Sequence, residues 1–497
     1  MKRILSILCL AALLLQMAAC SSNEPEETTA KPETVSSETT ETETEEPEET
    51  APQLKTNVPE SYDMSGREVP ILQFSEATNL SIDISEFTGD SLNDAIYQAH
   101  QNVMERLKCT FTFIDNENIE TTKIDNAYAA GEDAYDFVIG HQWKLAPLVT
   151  KQMLANLNPS GSSSESYIDL SKPWWYAGYI DETEIDNTHT YLLAGAASIN
   201  VFRRASLLVC NIDLLQSTGG DINSLYDDII AGNWVWDNFA KMAEGIYVDS
   251  NGDGKRDSGD TYGYATWSRS DIDHMLIDSG IRACVRDNDG LPSLAFNNEK
   301  TVSCIEKIYN LFWNNSGSYY EEGIPVDKML GDNRLLFVLN KFSWLDTIRE
   351  IDTTYTVIPM PKLDETIESY SSLVHDDAGL ICVPVQSANL TDTTAILEEM
   401  SLQYYYNVIP TYYNDILKTK YRRDGSDKAS QIMDILHDSM ATDFAYVYNY
   451  ALGSMITNMR ELIGVNKSSD FASFYAKNEK MYNISLKRLI ESMREGE

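Results

Sequence analysis

Basic residues are few in this sequence. Among 497 residues, 38 lysines and arginines stand against 77 aspartates and glutamates, a formal net charge of -39 at pH 7. A surface of that sign repels phosphate backbones, which argues against nucleic acid as a partner. Histidine is scarcer still. The six residues are scattered, and no nucleophile–base constellation of the kind covalent catalysis needs stands out. There are seven cysteines, with Cys9 and Cys20 near the N-terminus. The other five, Cys109, Cys210, Cys284, Cys304 and Cys382, are widely spread, odd in number and set mostly in apolar strand or helix contexts. That pattern predicts buried thiols rather than a disulfide framework or a metal site. No segment beyond the N-terminus has the roughly 18 uninterrupted apolar residues that a membrane-spanning helix requires.

What is present points to a folded body on a lead segment. Hydrophobic residues make up 43% of the chain and aromatics 10%, enough to build cores, and the length suits two or three domains rather than one. At the N-terminus Lys2 and Arg3 precede an apolar stretch, Ile4–Leu15, too short to span a bilayer. Met17-Ala18-Ala19-Cys20 then resembles a bacterial lipobox. The resemblance implies a signal peptide over residues 1–19, cleavage before Cys20, and lipidation of Cys20 on its sulfur and new amine. The alternative is an ordinary secretory signal with an incidental cysteine. Residues 20–66 are dominated by Glu, Thr, Ser and Pro, too polar to fold and extended by like charge, and read as a tether.

The body starts near Arg67. Val69–Phe74 reads as a buried strand, followed by a polar loop with Glu76 and Asn79. Leu92, Ile96, Ala99, Val103 and Leu107 recur at helical spacing; Cys109–Phe113 alternates like a strand; Tyr135–Gly140 is a third, short and apolar strand. Strand, helix, strand, helix, strand is the pattern of a parallel sheet with helices on its faces. Ligands of such sheets bind beyond the carboxyl ends of the strands, where Glu76 and His141-Gln142-Trp143 stand. Tyr191–Leu215 follows neither period throughout. It reads as two short strands joined by a break, the place where a chain leaves one lobe for another, with a cleft beside Asn200–Arg204. Helical stretches follow at Asp221–Ala231, Trp236–Ile246, Ser270–Ile281, Thr301–Trp313, Pro325–Gly331 and Thr393–Tyr406, with strands at Leu335–Leu339, Tyr355–Pro359 and Ala378–Pro384. From Thr411 on the pattern is helical.

Four stretches in this order resemble the extracellular solute-binding proteins of ABC importers, of the maltose-binding type. They are Tyr135–Leu157, Tyr191–Leu215 with its Asn211-Ile212-Asp213-Leu214-Leu215 turn, Phe337–Leu363 and Ala378–Glu399. Ile212 departs from the lysine common there. The resemblance implies an α/β fold of the two-lobe, type II periplasmic-binding-protein class, with a cleft between the lobes. Lobe 1 would hold residues 67–202 and 358–408, and lobe 2 residues 203–357 and 409–497. Three crossings are expected, near Asn200–Arg204, Val357–Pro359 and Asn407–Pro410. The implied function is capture of a small solute, most readily an oligosaccharide, by hinge closure, and delivery to the permease of an ABC transporter. The protein is then not an enzyme. It would sit as a monomer on the outer face of the bacterial cytoplasmic membrane, held by its lipid anchor alone.

A sugar presents an apolar face and a ring of hydroxyls. An indole covers the first, and amide or charged groups bond the second. Gln142 and Trp143 supply both at a strand end, and Glu76 stands at another. Trp267 follows the Tyr262–Thr266 strand toward the same cleft. The resemblance adds Trp344, on a loop before a helix, and Tyr446 with its neighbours Phe444 and Tyr448. Each of these aromatics has core packing as its rival reading. Arg204, at the crossing, could bond a hydroxyl or carboxylate or serve as a hinge salt bridge. Trp174 and Trp175 read equally as cleft rim or core, and Trp234 and Trp236 as structural.

Asp249 to Asp260 carries the most specific local spacing. Asp249, Asn251, Asp253, Asp257 and Asp260 stand at loop positions 1, 3, 5, 9 and 12, Gly254 at position 6, and Lys255 supplies its carbonyl at position 7. This is the spacing of a calcium loop, and it resembles dockerin-type loops. Arg256 departs from the usual aliphatic residue at position 8, and no exiting helix is evident. The loop would bind Ca2+ in a structural role; an acidic surface turn is the alternative. A surface glycan-active enzyme and an adhesin remain as other functional readings. Asp376-Asp377 could be nominated for the enzyme, but adjacent residues on a strand point to opposite faces.

Overall fold

The computed structural model describes residues 54–74, 82–116, 120–160, 166–418 and 427–494. Cys20, expected to be lipidated, residues 20–53 of the expected tether, and Glu76 with Asn79 lie outside the described residues. Residues 54–66, expected to be tether as well, instead pack on the body: Val58 and Met64 are buried, and the Met64 N–H donates to Leu107 O at 2.8 Å. Two sheets organise the rest. The first begins with β1 (Arg67–Gln73), a helix over Ser91–Leu107, β2 (Cys109–Asp115), a helix over Thr122–Ala130, and β3 (Phe137–His141). β1 lies between β2 and β3 and runs parallel to both, with Val69 opposite Phe111 and Ile71 opposite Phe137. The Ser91–Leu107 helix buries Leu92, Ile96, Ala99, Val103 and Leu107, the set its spacing predicts, together with His100. It starts sharply because the Asp90 carboxylate accepts the N–H groups of Leu92 and Asn93, and stops at Lys108 in the left-handed region at φ 55°.

β4 (Ser206–Asn211) opens the second sheet. Then come β5 (Tyr247–Val248), β6 (Thr261–Thr266), the small hairpin β7 (Cys284–Arg286) and β8 (Pro292–Leu294), β9 (Ser318–Tyr320), β10 (Leu335–Lys341) and β11 (Tyr355–Ile358). Its order is β11-β4-β10-β6-β5, with β9 also on β6. Every residue of β4 is buried, as is every residue of β3, since each strand is flanked on both sides and covered on both faces. Each fully buried aliphatic side chain in such a layer contributes about 1.5–3 kcal/mol of transfer free energy.

β12 (Ser372–Leu373) pairs with β14 (Met440–Ala441), and β13 (Gly379–Cys382) returns to the first sheet, antiparallel to β3. Both sheets belong to one compact unit, Lys55–Glu497. The long last helix, Phe471–Arg494, packs on Glu299–Trp313 of the second half and on Gln142–Thr150 of the first. Its end is tied to the first half by Arg494–Asp186 at 3.1 Å and by the Tyr191 hydroxyl, which donates to Met493 O at 2.9 Å.

Several expectations are corrected. Tyr191–Leu215 contains one strand rather than two. Before it, Leu193 makes a single bridge to Ile381 and Gly195 one to Trp175, and a one-turn helix, Ile199–Arg203, forms the break. The chain passes close to the two tryptophans here: a Cβ on Gly195 would lie 2.6 Å from the Trp175 ring and 2.8 Å from the Trp174 carbonyl oxygen, so only glycine fits. The second crossing is not at Val357–Pro359. Lys362 still bonds Trp234, the Leu363 N–H donates to Ser279 O, and Tyr370 donates to Ile229 O at 3.0 Å, all in the second half. The chain changes sheet between Val374, which bridges Ala205, and Gly379. The third crossing is also displaced from Asn407–Pro410. The Leu390–Gln403 helix continues in wider, π-type turns over Tyr404–Val408 and Thr411–Lys418, around Pro410, which has no N–H to donate. The next described element is the Asp427–Asp438 helix, packed on β11 in the second half. The segment after Thr411 includes β14 and is not wholly helical.

Candidate functional site

The connection 374–379 brings the ends of both sheets together. Val374 bridges Ala205, just ahead of β4, and Gly379 is paired with His141, the last residue of β3. Between them His375 donates its N–H to Arg204 O at 3.0 Å, while Gln142 and Trp143 donate theirs to Ala378 O and Asp376 O at 2.9 and 3.1 Å. Gly379 is closely packed, since an added Cβ would lie 3.1 Å from Ser198 Oγ and 3.3 Å from Ile139 Cγ2. Ser198 in turn donates to the Gly379 carbonyl.

A charged cluster surrounds this connection. Lys341, the last residue of β10, pairs with Asp377 at 3.1 Å, and Arg204 lies 3.5 Å from the same carboxylate. His375 Nδ1 stands 2.8 Å from Asp377 Oδ1 and 3.1 Å from Asp376 Oδ1. Its ring stacks on His274 at 5.5 Å. Burial by itself would raise the Asp377 carboxyl, but the His375 hydrogen bond and the charges of His375, Lys341 and Arg204 hold it far below the usual carboxylate range. Asp377 is thus ionised throughout the physiological range and unsuited to act as a general acid. Asp376 and Asp377 sit in a turn rather than on a strand, so they do not face opposite ways: both reach one imidazole. Behind them Asp273 is paired with Arg460. Burial pushes Asp273 up to about 6, against the pull of Arg460.

Neutral polar atoms at the same place are left over. Both ring nitrogens of His141, Gln142 Nε2, Asn200 Oδ1 and Asn340 Nδ2 are buried without a hydrogen-bond partner among the described residues. Burial lowers His141 to about 4, so its ring is neutral. An unsatisfied buried group costs about 1–3 kcal/mol, so five atoms in one region call for something that bonds them.

The structure brings together most of the residues singled out in the sequence. Gln142 accepts the Tyr179 hydroxyl and lies behind the surface, with its Nε2 free. Trp143 begins a helix beside it, partly exposed, with Lys144 Nζ 4.2 Å from its ring centre. Arg204 is a junction ion-pair residue and donates to Ser343 Oγ at 3.2 Å. Ser343 places the Phe342–Trp344 turn against the same junction, and Trp344 is partly buried there. Tyr446 is buried, and its hydroxyl accepts the Asp376 N–H at 3.2 Å. Trp267 follows β6, the parallel neighbour of β10, and is 42% exposed. Phe444 and Tyr448 stack on each other at 4.8 Å in the core. Trp174 and Trp175 are core as well, both bonded to Glu398, and Trp234 and Trp236 are buried. Sequence reasoning missed Lys341, His375 and Arg460 and undervalued Asp377. Only the Asp376-Asp377 pair was visible, and nothing local shows which cations it meets.

The Asp249–Asp260 loop is folded on itself. Asp249 accepts the N–H groups of Gly252 and Gly254 at 2.8 and 3.0 Å, Asn251 that of Asp253, and Asp253 that of Lys255. Gly254 takes φ +74°, the turn a loop of this type requires at its sixth position. Asp260 is buried and accepts from Ser250 N–H. Arg256, the departure from the pattern, donates to Ser316 O and Ser318 O at 2.8 Å each and so staples the loop to β9. Among the described residues no group of three or more His, Cys, Asp or Glu side chains is arranged to hold a metal ion; a loop of this type also draws on Asn251 and the Lys255 carbonyl.

No family model matches the sequence, and no curated protein is similar to it. Solved structures do match. The galacto-N-biose-/lacto-N-biose I-binding protein of an ABC transporter from Bifidobacterium longum, in complex with lacto-N-biose, aligns with a TM-score of 0.53 at 10% identity, over 87% of this chain and 98% of that one. An ABC transporter solute-binding protein from Thermotoga lettingae, bound with α-D-tagatose, aligns at 0.51 and 13%, over 86% and 100%. UgpB from Mycobacterium tuberculosis, in complex with glycerophosphocholine, gives 0.51 and 12%, over 86% and 98%. With identities this low the likeness is one of fold, and that fold is the two-lobed, maltose-binding-protein type of the ABC-transporter solute-binding proteins.

Proposed function

We propose that this protein is an extracellular receptor that captures a small solute, an oligosaccharide, between its halves and passes it to an ABC permease without reacting on it. The observation that carries the reading is the junction itself. Unpartnered neutral donors and acceptors from His141, Gln142, Asn200 and Asn340 meet there beside the partly buried indoles of Trp143 and Trp344. A polyhydroxylated ring has an apolar face for the indoles and hydroxyls for the amides and imidazole. Structures with this fold hold lacto-N-biose and α-D-tagatose, which supports the ligand class.

The Asp249–Asp260 loop takes Ca2+ as a structural ion in this reading. The protein is a monomer, lipidated at Cys20 and displayed on the outer face of the cytoplasmic membrane. No helix among the described residues is long and apolar enough to cross a membrane. A Cys20→Ser variant should move from the membrane fraction to the medium. A thermal-shift screen of the purified chain against a glycan panel tests the central reading. A saccharide that raises the melting temperature and is recovered intact supports it. A flat response across the panel sinks it, and hydrolysis of a bound glycan would turn the assignment toward an enzyme.

A further inference from the structure

Charge and neutrality are sharply divided at the junction. The cations there each meet a carboxylate: Lys341 and Arg204 converge on Asp377, and Arg460 pairs with Asp273, while the His375 imidazole contacts Asp376 and Asp377. Arg204 Nε and Asp377 Oδ1 face each other at 3.5 Å as an ion pair; the junction atoms left without a partner are uncharged. They are amide groups of Gln142, Asn200 and Asn340 and the imidazole nitrogens of His141, a ring that burial keeps neutral. The Lys341 and Asp377 side chains each keep about a fifth of their exposure, 19% and 21%, so their pair lines a surface rather than a sealed interior. Two cations meet two adjacent carboxylates there, and Asp377 is the one that both cations contact, so its charge decides whether that surface presents a net positive charge.

We propose that Asp377 is a specificity-determining residue: with Asp376 beside it, it balances the charges of Lys341 and Arg204 and leaves a ligand only uncharged donors and acceptors, so that the cleft takes neutral saccharides and refuses their acidic analogues. This rests on the solute-receptor reading. A uronate or phosphate group entering the junction would be stripped of water and set beside Asp377 without a free counter-charge, a penalty on the wrong ligand rather than a bonus for the right one. Without the Asp377 charge, Lys341 and Arg204 would receive such a group.

The test titrates the purified chain by calorimetry with neutral di- and trisaccharides, each paired with its C6-carboxylate analogue. The wild-type protein should bind a neutral member at least about 100-fold more tightly than its uronate, the scale set by leaving a buried charge unpaired. Asp377→Asn should raise uronate affinity about tenfold or more while shifting the neutral sugar less. A wild-type protein that binds a uronate as well as its neutral partner overturns the proposal and leaves the receptor reading standing. So does a folded Asp377→Asn variant whose neutral-to-acidic ratio is unchanged. If the variant does not fold, the wild-type ratio decides alone. Absence of binding to every neutral and acidic saccharide defeats the receptor reading and this inference with it.

Discussion

The Trp175 indole donates its N–H to Glu398 at 2.9 Å, and Trp174 donates to the other oxygen of the same carboxylate at 3.0 Å. Two adjacent tryptophans in an irregular loop are thereby locked onto the helix that follows β13. Burial raises the Glu398 carboxyl to about 7, with the indole bonds pulling the other way.

This clamp should make stability depend on pH. The folded-state value lies above the unfolded one, so the folded protein holds the proton more tightly. The contribution is fully present below the unfolded value of 4.5 and is lost as pH rises through about 7. Urea unfolding midpoints of Glu398→Gln, set against the parent between pH 4 and 8, should show a flatter profile in the variant. An unchanged profile removes Glu398 as the titrating group.

A second prediction concerns the buried pair of Asp273 and Arg460, which ties the Asp271–Asp278 helix to Met455–Gly464. Arg460→Met leaves an uncompensated carboxylate and should cost about 3–5 kcal/mol in chemical denaturation. The double variant Asp273→Leu with Arg460→Met should recover most of that loss. A double variant no better than the single would mean the cost comes from packing of the arginine stem rather than from charge.

Calcium provides the third. If the Asp249–Asp260 loop holds Ca2+, a concentration 100 times the dissociation constant should add about 2.7 kcal/mol to the unfolding free energy. Asp253→Ala should abolish the effect and leave the metal-free protein nearly as stable, since Asp253 is exposed and accepts only the Lys255 N–H within the loop. A melting curve indifferent to both calcium and chelator assigns the loop as an acidic turn.

The fourth separates binding from folding at Trp143. This side chain begins the Gln142–Thr150 helix and is only partly buried, so Trp143→Ala should leave the melting temperature within a few degrees. The stacking surface it removes is expected to be worth about 1–3 kcal/mol of ligand affinity, roughly 10- to 100-fold. Fluorescence titration with whichever saccharide the thermal screen identifies would measure it. Full affinity in the variant would place Trp143 outside the site.

Much of the first sheet was legible because its signals are local. The spacing of Leu92, Ile96, Ala99, Val103 and Leu107 reports one face of one helix. The apolar run of β3 announces a strand covered on both faces. The crossings were harder. Val357–Pro359 looks like an exit because proline ends a strand, yet 359–374 stays with the second half through bonds to Trp234, Ser279 and Ile229, which no local pattern reveals. Reading Asp376-Asp377 as strand residues set them on opposite faces, whereas the turn directs both to His375.

The sequence by itself determined the alternation of strands and helices, the apolar faces and the loop spacing at Asp249–Asp260. Each depends on residues within a few positions of one another. Tertiary structure decided which charges cancel and which polar atoms are left without a partner. Lys341 and Asp377 are 36 residues apart, and Asp273 and Arg460 are 187 apart. Coulomb attraction between such pairs depends on distance and burial, quantities that exist only once the two sheets have been brought end to end.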